Sequence, residues 1–98
     1  MEHSAIIGRL ARERSRLRTL GVRRLSLFGS TARGEASDAS DIDLAVTFDE
    51  DAQIDLFRFA ALSEDLSRML GAPVDLVMEP ARNPRMQAEI DRDRRDVY

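Results

Sequence analysis

Two aspartates stand two residues apart in the run Ser40-Asp41-Ile42-Asp43-Leu44. On an extended chain this spacing sends both side chains off one face, with Cα atoms about 6.5–7 Å apart. Carboxylates that close do not both stay ionised unless something offsets their repulsion. Left alone, one pKa rises; a divalent cation instead holds both in the charged form. Oxygen ligands with no His or Cys beside them select Mg²⁺ or Mn²⁺ over Zn²⁺. A D-x-D pair in an acidic chain is also what a solvated turn looks like, so the neighbours decide between the two.

Upstream, an apolar run ending in Phe28 breaks at Gly29-Ser30. Glycine lets a phosphate approach the backbone with no Cβ in the way, and the serine adds a hydroxyl. A short helix after it would point free N–H groups at an anion. A Gly-Ser turn is equally what an ordinary strand-to-helix connection uses. Asp75 is a third carboxylate, flanked by Val74, Leu76 and Val77. An acid in such an apolar run faces either water or a ligand, because burial without a partner is costly. Arg33 either contacts a triphosphate or pairs with an acid such as Glu35 or Asp38.

Together these parts describe a two-metal phosphoryl-transfer site. One ion would bridge a triphosphate and the Asp41/Asp43 pair. A second, shared by Asp41, Asp43 and Asp75, would lower the pKa of an incoming hydroxyl. The one histidine, His3, lies at a terminus expected to be mobile and outside the catalytic set.

The elements that must position these groups follow from periodicity. Ser4 caps a helix from Ala5, whose apolar face carries Ile6, Ile7, Leu10, Leu17 and Leu20, and Gly21 suits its C-cap. A strand follows over 24–28, then a single helical turn over 30–33. Residues 35–40 are small and polar, a loop reaching back over the site. The second strand spans 42–48, with Ile42, Leu44 and Val46 on one face and Asp41, Asp43 and Ala45 on the other. After the acidic turn Asp49-Glu50-Asp51, a helix over 53–70 stops at Gly71 and Pro73. A third strand spans 74–78. Pro84 opens a last helix over 84–94, with Met86 and Ile90 inward. The order α, β, short α, β, α, β, α predicts a mixed α/β (α+β) fold: a three-stranded sheet packed with helices, carboxylates at its edge or end.

Ninety-eight residues suit a single domain over 1–98 with one modest core. No apolar run approaches a membrane span, and the N-terminus has no signal-peptide pattern. The absence of Cys rules out disulfides and thiolate metal sites, and is compatible with the cytoplasm. A net charge of −3 argues against a dedicated nucleic-acid binder. Charge is nevertheless uneven. Residues 1–33 hold eight Arg against Glu2 and Glu13, and residues 34–98 hold seven Arg against sixteen acids. The basic segment is either a solvated helix face or a surface for a partner.

At these residues the chain resembles the minimal nucleotidyltransferase family of the DNA polymerase β-like superfamily. The family pattern, G-S continued as x-A-R-G, then D-x-D, then a later Asp, is met by Gly29-Ser30-Thr31-Ala32-Arg33-Gly34, by Asp41-Ile42-Asp43 and by Asp75. The resemblance implies the polymerase β-like fold. It implies transfer of a nucleoside monophosphate, AMP from ATP foremost, to a hydroxyl with two Mg²⁺ ions. Asp41, Asp43 and Asp75 would be catalytic and metal-binding, and Gly29, Ser30 and Arg33 nucleotide-binding. Proteins of this size resemble the antitoxins of HEPN–MNT toxin–antitoxin pairs, which implies a hetero-oligomer with a HEPN-domain RNase and a tyrosine of that toxin as acceptor. The alternative is an antitoxin that neutralises the toxin by complex formation alone.

Overall fold

A computed structural model describes residues 2–37 and 40–98. The elements are α1 (His3–Ala11), α2 (Arg14–Thr19), β1 (Val22–Phe28), α3 (Gly29–Ala32), β2 (Ile42–Phe48), α4 (Leu56–Leu70), β3 (Val74–Met78), α5 (Pro84–Asp93) and β4 (Arg95–Asp96). They form a mixed four-stranded sheet in the order β3-β2-β1-β4. β1 runs antiparallel to both β2 and β4, and β2 parallel to β3.

The expected three strands are present and a fourth joins them. β4 is only two charged residues long, too short for any alternation to show. It begins where Arg94 leaves helical geometry, so the last helix ends at Asp93 rather than Arg94. Helix starts also differ. Glu2, not Ser4, caps α1 by accepting from the Ser4 N–H, and His3 is the first helical residue. The expected first helix is two, interrupted at Arg12 and Glu13, a pair with no breaker between them. α4 starts at Leu56 because the Asp55 carboxylate accepts from the Arg58 N–H. Part of the loop over 35–40, including Asp38, lies outside the described residues.

The strands alternate as period two requires. Leu25, Leu27, Ile42, Leu44, Val46 and Leu76 face α1, α2 and α4, where Ile6, Leu10, Leu17, Leu62, Leu66 and Leu70 complete the main core. The opposite face carries Ser26, Phe28, Asp43, Ala45, Asp75 and Val77 in the remaining positions. Only a small cluster of Phe28, Ala45 and Ile90, flanked by Val77, Ala81 and Met86, seals it under α5. The site occupies what that cluster leaves open.

Candidate active site

The register brings the predicted acids together. Asp43 pairs with Phe28 at the end of β1 on one side and with Asp75 of parallel β3 on the other. Residues paired across neighbouring strands lie about 5 Å apart, with side chains on a common face. Asp41 immediately precedes β2, two positions from Asp43, and is exposed. Asp75 is exposed and Asp43 half-buried.

Burial, then the charges of Asp75, Glu89 and Asp41, push the Asp43 carboxyl up from 3.8 to about 6, against the pull of Arg33. Such a group rests uneasily as a bare anion beside other anions. The donor set around it is all oxygen, which fits a hard divalent cation. Among the described residues no three acids already converge as ligands of one ion. Asp41, Asp43 and Asp75 are therefore near one another without forming a closed cation cage.

Gly29 is constrained by its own neighbours. It has a φ of +75°, and a Cβ there would run into the Asp43 carboxylate. The turn and the acid are packed against each other, so glycine is required twice over, by conformation and by space. Ser30 follows in the first turn of α3, half-buried.

Arg33 takes the ion-pair alternative in this structure. Its Nε donates to Glu35 at 3.1 Å and its Nη1 to Asp93 at 2.6 Å. Hydrogen bonds from Arg92 and Arg33 outweigh desolvation and hold the Asp93 carboxyl below the usual range. Arg95 Nε donates to the Ala32 carbonyl at 2.8 Å, satisfying one of the free carbonyls at the end of α3. Asp93 and Arg95 thus fasten α3 to the C-terminal segment. Sequence reasoning finds neither of them, nor Glu89. They sit in a polar helix and a charged tail, and only the packing of Met86 and Ile90 onto the sheet shows which flank of α5 meets the site.

The nucleotidyltransferase domain family matches residues 7–98, and the chain belongs to that family. A Methanocaldococcus jannaschii protein, provisionally named a protein adenylyltransferase, is 40% identical over 73 residues, covering 74% of this chain and 73% of that protein. The protein adenylyltransferase MntA of Thermococcus cleftensis is 48% identical over 59 residues, covering 60% of this chain and 58% of its own length. Among solved structures, one provisionally described as a minimal nucleotidyltransferase superposes with a TM-score of 0.78 at 35% identity, over 97% of this chain and 95% of that one. A toxin–antitoxin structure with AMP-PNP shares the fold at a TM-score of 0.75 and 22% identity, over 94% of this chain and 72% of that one. So does a tri-AMPylated Shewanella oneidensis HEPN toxin in complex with its MNT antitoxin, at 0.62 and 20%, over 92% and 71%. The expected polymerase β-like nucleotidyltransferase fold is the one observed.

Proposed function

We propose that this chain is a protein adenylyltransferase of the antitoxin type, moving AMP from Mg-ATP to a tyrosine hydroxyl of a HEPN-family RNase toxin. The observation that carries the reading is the placement of Asp43 beside Asp75 and against the Gly29-Ser30 turn. That placement occurs in a chain 40% identical to a protein provisionally named an adenylyltransferase.

In this reading the acceptor oxygen forms a bond to the α-phosphorus, the bond from that phosphorus to the bridging oxygen breaks, and pyrophosphate leaves. Asp41, Asp43 and Asp75 would hold two Mg²⁺ ions, which when bound supply charge neutralisation for the phosphates and acidify the acceptor hydroxyl. Gly29 keeps the backbone open beside Asp43, and Ser30 offers its hydroxyl and N–H to the triphosphate. Arg33 reaches the phosphates only by giving up its pairing to Glu35 or Asp93. Asp75, exposed at the start of β3, orients the incoming hydroxyl and takes its proton.

The acceptor comes from another chain. Tyr98, the single tyrosine of these 98 residues, donates its hydroxyl to the Val22 carbonyl at 3.1 Å. Val22 begins β1, at the end away from Phe28 and Asp43. No helix among the described residues is long and apolar enough to cross a membrane, in keeping with a cytoplasmic pair.

The experiment is co-expression of a candidate HEPN partner with wild type and with Asp75→Asn, reading growth rescue, complex formation and toxin mass. Transfer predicts added AMP on the toxin with wild type only, and rescue lost in the variant. Rescue and an intact complex from both, with no mass change, would establish neutralisation by binding alone.

A further inference from the structure

α5 reaches the site along one flank. Met86 and Ile90 pack on the sheet beside Phe28, Ala45 and Val77. Glu89 is three residues after Met86 and next to Ile90. Asp93 follows one turn later and grips Arg33 beside the Gly29-Ser30 turn. Residues four apart share a helix face, so Glu89 lies on the flank of α5 that meets α3. It is half-buried.

Its neighbours on α5 are already paired. Asp91 accepts from Gln87 and pairs with Arg94, and Asp93 is held by Arg33 and Arg92. No hydrogen bond or ion pair engages the Glu89 carboxylate among the described residues. Of the charges acting on Asp43, that of Glu89 ranks after Asp75 and ahead of Asp41. Arg92, three residues on, is its attractive neighbour without contacting it, and a half-buried acid that no cation grips adds to the negative potential around Asp43.

We propose that Glu89 is a fourth acid of the nucleotide site, a positioning residue whose charge draws a divalent cation to Asp43 and Asp75. The inference rests on the functional reading above. Glu89 need not ligate the ion directly; a full charge within several ångströms of a dication in a half-shielded site is worth roughly 3- to 30-fold in affinity.

The test is Mn²⁺ binding to the nucleotide-free protein, followed by electron paramagnetic resonance of the free ion. It compares wild type, Glu89→Gln, Glu89→Asp and Glu64→Gln. Glu64 is exposed on α4 and controls for the loss of one charge anywhere. Glu89→Gln should bind about 3- to 30-fold more weakly, Glu89→Asp should recover most of the affinity, and Glu64→Gln should match wild type. Equal binding by wild type and Glu89→Gln would overturn the role of Glu89 while leaving the site intact. So would equal weakening in Glu89→Gln and Glu64→Gln. No Mn²⁺ binding by wild type would instead overturn the reading of the site. Circular dichroism of each variant separates these outcomes from loss of fold. If Glu89→Gln does not fold, Glu89→Asp against wild type decides, with affinity lost despite retained charge counting against the proposal.

Discussion

The two faces of the sheet are built from the same strands and differ in almost everything else. One face presents Leu25, Leu27, Leu44 and Val46, all fully buried under three helices. The other presents Ser26, Asp43, Ala45 and Asp75 under a single helix that covers only part of it. Odd and even positions of β2 thus carry separate duties. Leu44 and Val46 hold the fold, and Asp43 beside Leu44 is the residue proposed to serve the nucleotide site. A strand with period two lets one residue be exchanged for function while its neighbours keep the core intact. The polar face tolerates like charges because the apolar face supplies the stability.

The largest effect should follow from breaking the apolar face. Leu44→Ala removes a fully buried side chain from the centre of the sheet and should cost about 2–5 kcal/mol. That is a large share of the stability of a domain of this size, so urea denaturation should show the midpoint collapsing or the chain unfolded at 37 °C. Asp75→Asn on the opposite face should leave the midpoint within about 0.5 kcal/mol of wild type. Comparable losses from the two substitutions would mean that the faces are not energetically separate.

Much of that division is legible in the amino-acid sequence. The alternation Ile42-Asp43-Leu44-Ala45-Val46 and the run Val74-Asp75-Leu76 mark both strands and assign their faces, because burial on one side imposes period two. The parallel register that sets Asp43 against Asp75 is not written in either strand alone; it comes from α4 crossing between them. Asp55 and Glu2 do not stand out as caps because each lies among other polar residues able to cap. β4, with two residues, carries no periodicity, and its place is set by Ser26 and Arg24 binding Asp96. The proposed place of Glu89 and the hold of Arg95 on α3 come only from packing. Arg33 shows the limit most clearly. Its type and position suit a phosphate, yet the folded chain pairs it with Glu35 and with Asp93, the second of which lies 60 residues away.

A smaller effect sharpens the same contrast. Asp43 binds its proton more tightly in the folded chain, with its carboxyl raised from 3.8 to about 6 by burial and by Asp75, Glu89 and Asp41. The folded state therefore holds more protons than the unfolded state across that window. Its contribution to stability is lost as pH rises from about 4 to 6, and the full cost stands above 6. Because Asp43 is only half-buried, solvent screening reduces this to about 1 kcal/mol. Stability of wild type minus that of Asp43→Asn, measured by denaturation at several pH values, should fall across that range and level off above it. Mg²⁺ should restore part of the loss. A difference that rises with pH would mean that Asp43 is stabilised as an anion, and the repulsive site would be wrong.

The most direct measurement is calorimetry of ATP binding to wild type and to Asp43→Asn, with and without Mg²⁺, alongside circular dichroism and thermal unfolding. Wild type should bind ATP in Mg²⁺ and at least about 10-fold more weakly without it, since clustered carboxylates repel a bare triphosphate. Asp43→Asn should lose the Mg²⁺ dependence, keep its secondary structure, and unfold at the same temperature as wild type or higher. Unfolding of Asp43→Asn, or equal ATP affinity in wild type with and without Mg²⁺, would contradict the claim that this face of the sheet serves nucleotide chemistry rather than the fold.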